Sequence, residues 1–176
     1  MWYNNIIQFN TYGGGIMFQV GDQVFCPMRG SGIVEAIEER QMIGEKQEYF
    51  IIQMQDTDMT IMVPTDRVNK SKFRYISDEE TVNEVLATFS KKNISFDPSI
   101  PQKQRVKDNQ AKLSSGTFAE YGEVVRDLMT IQKEKPLNAS ENSILMDARR
   151  LFLDELRVIK EISKEEAMTL LDKLLA

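Results

Sequence analysis

Between Phe18 and Val63 the apolar residues fall in short alternating runs separated by turn formers. "FQVGDQVFCP" sets Gly21-Asp22 between two such runs, and "GSGIVEAIEER" alternates Ile33, Glu35 and Ile37 against Val34, Ala36 and Glu38. A period of two predicts strands. "IGEKQ" supplies a glycine turn, "EYFIIQM" reads as a buried strand of aromatic and β-branched residues, and "DTD" leads into "MTIMVP", closed by Pro64. Four or five short strands joined by tight turns predict a small antiparallel barrel or a curled sheet. The paired glycines Gly30 and Gly32 predict a bend or bulge within it.

From Ser77 onward the period becomes helical. Val82, Val85, Leu86 and Phe89 recur at i, i+3, i+4 and i+7 behind Ser77-Asp78-Glu79-Glu80, which reads as a capping box. Pro98 and Pro101 interrupt the chain, a helix runs through 103–113, and "SSG" at 114–116 stops it. Thr117 to Glu120 and Ser163 to Glu166 form two further boxes, each opening a helix. Between them Pro136 ends one helix, and Ser140 is placed to cap another. That helix carries Ile144, Leu145, Ala148, Leu151, Phe152, Leu156 and Ile159 on one face. The pattern therefore predicts an α+β chain: a small antiparallel β-barrel over 17–72, then an all-helical domain over 73–176, joined near "NKSKFRYISD".

Composition narrows the chemistry more than the fold. The chain has 176 residues and 41% hydrophobic content, enough for a packed core in one domain or two small ones. Its single cysteine, Cys26, allows no internal disulfide framework, and histidine is absent. The usual general base and the usual metal ligand are thereby missing. Gly30 and Gly32 lack the third glycine and following helix of a dinucleotide site, there is no phosphate-binding GKS/T loop, and no nucleophile lies beside a base. Asp56 and Asp58 lack the further ligands of a calcium loop. The inventory points away from an enzyme, a cofactor or a small-molecule substrate, and no run is apolar enough to cross a bilayer. "MWYNNIIQFNTYGGGI" has neither the basic nor the apolar region of a signal peptide, and "MFQVGDQVF" reads as a clean start at Met17. Residues 1–16 are accordingly expected to be a non-native leader.

What remains is binding. The net charge of −5 argues against indiscriminate coating of nucleic acid, yet "PQKQRVKD" at 101–108 alternates Lys103, Arg105 and Lys107 without an acid until Asp108. On a helix these cations splay over a broad face, with Val106 and Leu113 turned inward. A solvated surface is the ordinary reading of such a run, and a phosphate-contacting surface is the other. In the β module Arg40 stands at a strand end. Met59 and Met62 lie in the last strand, placed either to fill core or to make an adaptable protein contact.

Several stretches bear on that choice. "MFQVGDQVFCPMRGSGIVEAIEER", "IGEKQEYFIIQM" and "MTIMVP" resemble the N-terminal module of the CarD/CdnL family of bacterial transcription regulators. "AKLSSGTFAEYGEVVRDL" and "LMDARRLFLDEL" resemble its helical C-terminal module. The likeness covers residues 17–176, with the modules in the family's order. It implies a non-enzymatic cytoplasmic regulator, associated with the nucleoid through RNA polymerase. A Tudor-like β module would dock on the polymerase β subunit. The helical module would contact promoter DNA, weakly and with sequence tolerance, near the upstream edge of the transcription bubble, and so modulate open-complex stability. Tethering of this kind raises the effective concentration of a weak DNA contact. By resemblance, Arg40 matches a polymerase-contacting arginine, and Met62, near Met59, stands where other members carry a second one. Arg105 and Lys107 match basic positions used on DNA, beside Lys103. Gln102 occupies the place of a tryptophan that wedges against the opened base step, and an amide cannot stack as an indole does. The alternative is an adaptor that binds polymerase without touching DNA. Intact-mass measurement on the endogenous protein is expected to give a chain starting at Met17; a start at Met1 would refute the leader.

Overall fold

The computed structural model describes residues 18–42, 44–89 and 99–175; the expected leader lies outside the described residues. The strands are β1 (Gln23–Cys26), β2 (Gly30–Met42), β3 (Glu45–Met54), β4 (Thr60–Pro64) and β5 (Arg74–Tyr75), with a 3-10 turn at Thr65–Ser71. The helices are α1 (Glu79–Phe89), α2 (Gln102–Ser115), α3 (Phe118–Glu134), α4 (Ala139–Ile159) and α5 (Lys164–Leu175). The class is α+β, as the alternating and then helical pattern predicts.

The strands form one antiparallel sheet in the order β4-β3-β2-β1-β5. It is open, which corrects the expectation of a closed barrel. Closure would need β4 to pair with β5, but β5 contributes only the Val24–Tyr75 and Phe25–Arg74 pairings with β1. Curvature comes instead from a register shift between Val34 and Ala36, where β2 carries one more residue than β3. Val24, Val34, Phe50, Ile52, Met54 and Val63 close one side of the sheet around Phe18 and Val68. Cys26 belongs to this core, and burial pushes its thiol up to about 12, so it packs as a small apolar group.

The helical core gathers Val82, Val85 and Phe89 of α1, Leu113 of α2, the apolar faces of α3 and α4, and Ala167 and Leu171 of α5. Phe118 stacks on Phe152 at 4.5 Å. Helix ends follow local chemistry closely. Thr117 caps α3 through Glu120 N, and Ser163 with Glu166 forms the reciprocal box of α5. Gly116, at φ +84°, ends α2 in the left-handed conformation that glycine adopts without strain. Two caps differ from expectation. Asn138, not Ser140, caps α4, with Glu141 completing the box. Asp78 caps α1 by accepting from Thr81 N, because the Ser77 hydroxyl is bonded to Glu155 instead.

The modules do not meet at a bare linker. β5 carries the sheet past residue 72, and Lys72 and Arg74 donate to the Ser114 and Gly116 carbonyls at the end of α2. Phe25 stays in β1 but its side chain packs in the helical core, with its ring 5.6 Å from that of Tyr121.

Candidate protein- and nucleic-acid-binding surfaces

Strand pairing decides which side chains share a face. Directly opposed residues of antiparallel strands point the same way, and neighbours along a strand point opposite ways. Arg40 faces Gln47, Glu38 faces Tyr49, and Ile51 faces Met62. These residues form the outer face of the sheet, opposite the core, and Met62 is 44% exposed there. Arg40 and Met62 therefore share one surface, bridged by Tyr49 and Ile51, with four residues of β3 or about 14 Å along the strand between their levels. Met59 lies elsewhere. It precedes β4, is exposed, and takes a 3.6 Å contact from Arg29 Nη1 on its sulfur, near the turn between β1 and β2.

The Arg40 guanidinium donates to Glu38 Oε2 at 2.9 Å from Nε and 2.5 Å from Nη2. Both side chains are largely in solvent. An exposed pair of this kind is worth only about 0–1 kcal/mol, so Arg40 can exchange Glu38 for another carboxylate at little cost.

α2 begins at Gln102, just after Pro101, and its two sides differ. Gln102, Arg105, Asn109 and Leu113 follow one another at helical spacing on the side that faces α4. Arg105 is held there: its Nε and Nη2 both donate to Glu141 Oε1, at 2.7 and 2.5 Å, and its side chain is only 11% exposed. Gln102 Nε2 reaches Glu141 Oε2 at 3.3 Å. The same Oε2 accepts from Asn138 N at the start of α4. Glu141 thus joins the capping box of α4 to the first turn of α2. Burial works against the charge on this carboxylate, but the bonds from Arg105, Asn138 and Gln102 prevail and hold it below the usual carboxylate range.

The other side of α2 carries Lys103 and Lys107, one turn apart and exposed, with no ion pair among the described residues. They border a groove of about 800 Å³ whose walls include Pro101, Val106 and Ala111. Lys112 is paired with Glu123 at 3.0 Å. The broad splay expected of the cationic run is therefore divided: Arg105 points to α4, and the two lysines form a narrow outward stripe. Sequence reasoning missed Glu141, Asp154 and Glu155. The last two carried a readable signal, since acids inside the apolar run "LFLDEL" need buried partners.

Two comparisons bear on this arrangement. Residues 18–77 match the CarD-like/TRCF RID domain, and residues 84–172 match the CarD C-terminal domain. The chain is also 42% identical over 150 residues to a Bacillus subtilis (strain 168) protein named as a candidate transcription factor, YdeB, covering 85% of this chain and 97% of that one. The chain belongs to the CarD-like family. The matched ranges take in all five strands, α2 to α4 and most of α5, and the transcription-regulator class follows from that membership.

The Arg105–Glu141 pair can be tested directly. Arg105→Ala would leave a buried carboxylate without its cation, a change that costs about 3 kcal/mol at neutral pH. The sign with pH follows from the direction of the shift. A carboxyl with a depressed folded pKa adds stability above its unfolded value and loses it as pH falls through the folded value. Urea melts are expected to show a large difference between wild type and Arg105→Ala at pH 7, shrinking below pH about 4. Equal stabilities at pH 7 would refute the clamp.

Proposed function

We propose that this protein docks on the β subunit of bacterial RNA polymerase through the outer face of its sheet and contacts promoter DNA through the outward stripe of α2. In this reading the DNA contact lies near the upstream edge of the bubble and modulates open-complex stability. The observation that carries it is the joint presence of both CarD-type modules with a solvent-facing surface on each. On the sheet, Arg40 is available for an acidic partner, and Met62 with Ile51 and Tyr49 offers adaptable apolar contact. On α2, the exposed Lys103 and Lys107 would contact phosphates without reading bases, which suits a weak, sequence-tolerant contact.

Gln102 and Arg105 play a different part in this proposal. Both already bond Glu141, so they hold α2 against α4 and set the direction in which the lysines point. Arg105 touches DNA only if it gives up a buried carboxylate. With no indole at position 102, the contact is electrostatic rather than a wedge. That same economy of free charge favours a second reading, an adaptor that binds polymerase and leaves DNA alone.

One set of measurements separates these readings. Arg40→Glu is expected to weaken binding to the isolated β subunit by at least about tenfold, as reversal of a close interfacial charge does, with no change in melting behaviour. Lys103→Glu with Lys107→Glu is expected to leave that binding intact, shorten open-complex lifetime and flatten its dependence on salt. Unchanged polymerase binding by Arg40→Glu removes the docking site. An unchanged lifetime with the lysine pair reversed, and no added footprint at the upstream bubble edge, supports the adaptor.

A further inference from the structure

We propose that one stretch of α4, from Arg150 to Glu155, fixes the angle between the sheet and α2 and makes the protein a rigid spacer between its two contact surfaces. Glu155 is fully buried, and its two oxygens accept from Arg74 Nη1 and Nη2 at 2.6 and 2.7 Å. Its Oε1 also accepts from Ser77 N at 2.8 Å and Ser77 Oγ at 2.9 Å. One carboxylate thereby holds both β5 and the segment that leaves it. Arg74 in turn lies 4.5 Å over the Phe25 ring and donates through Nε to the Gly116 carbonyl at 2.7 Å. The sheet edge, α4 and the end of α2 meet on a single guanidinium.

Asp154 holds a second place on the sheet. Its Oδ2 accepts from Ser31 N at 2.5 Å, and its Oδ1 is braced by Arg157. This approach explains Gly30: at φ +110°, any Cβ there would lie 2.5 Å from Asp154 Oδ2. One turn earlier, Arg150 donates to the carbonyls of Met28 and Arg29, at 2.9 and 3.4 Å. The turn between β1 and β2 and the strand β5 are thus gripped from one helix, at two places on the sheet. Two separated, directional attachments remove rotation as well as translation, which a single apolar contact would not.

Asp154, Glu155 and Arg150 touch neither proposed partner. They are positioning residues, and their role in regulation rests on the docking and DNA-contact reading above. A loosened junction lets each surface bind while lowering the chance that both engage together.

The test uses the full-length chain with spin labels on Glu48→Cys, an exposed site on β3, and Gln110→Cys, an exposed site on α2; the buried Cys26 thiol stays unlabelled. Wild type is expected to give one narrow label-to-label distance. Glu155→Gln and, separately, the surface change Arg150→Ala are expected to broaden it. Binding to the polymerase β subunit should stay within about twofold, while the effect on open-complex lifetime falls by about tenfold. Should Glu155→Gln fail to fold, Arg150→Ala carries the test alone. A distance as narrow as wild type in the folded variants overturns the proposal, and so does a broadened distance with full effect on lifetime. If the wild-type chain has no effect on open complexes, the regulatory reading falls, while the distance measurement still decides the grip.

Discussion

Two adjacent carboxylates, Asp154 and Glu155, lie inside the molecule, and the arrangement of both modules answers to what they require. Removing a carboxylate from water costs several kcal/mol unless charge and hydrogen bonds replace the lost hydration. α4 cannot supply those bonds to Glu155, because its own backbone donors are used along the helix. β5 supplies them through Arg74, the segment leaving it through Ser77, and the start of β2 supplies Ser31 N to Asp154. The modules are therefore bound by a demand for polar partners as much as by apolar burial. Losing one partner while the seam stays closed is the costly event: without Arg74 the Glu155 carboxylate would remain buried with no cation, at a cost of several kcal/mol.

The same rule operates at Glu141 and decides how the cationic run is used. A buried acid at the start of α4 draws Arg105 inward, and Gln102 with it. Of the alternating cations, those left facing solvent are Lys103 and Lys107. An arginine suits the buried task because its planar fork can meet one carboxylate through two nitrogens, whereas a lysine suits the exposed task as a mobile point charge. The run is thus two devices sharing one helix, a clamp on one side and an open stripe on the other.

This division also marks the limit of what could be read from the sequence. The caps at Thr117, Ser163 and Gly116 were legible because the groups that satisfy each other lie within a few residues. The strands were legible from their alternation, and α+β followed from the change of period. Partners farther apart leave no such trace. Glu141 lies 36 residues from Arg105, and Glu155 lies 81 from Arg74, so no spacing rule joins them. For the same reason Ser77 looked like a cap: its local context is correct, and a distant carboxylate wins its hydroxyl. Openness of the sheet was equally hidden, since it depends on β4 and β5 standing as unpaired edges at opposite ends of the strand order. The outer sheet face was half legible. Met62 and Arg40 could be singled out only as separate candidates, and it is the register that puts them on one face and sets Met59 apart.

Phe25 belongs to a strand by sequence and to the helical core by packing, where it meets Tyr121 and lies beneath Arg74. That mismatch constrains descent as well as stability. A recombination that exchanged one module for a relative's, cutting anywhere between β5 and α1, would separate an aromatic residue from the cavity shaped to receive it. Pro27, two residues on, lies near Gly116, whose carbonyl is held by the same Arg74. The heritable unit is therefore the pair of modules with their shared seam, and drift on either side of that seam is answerable to the other.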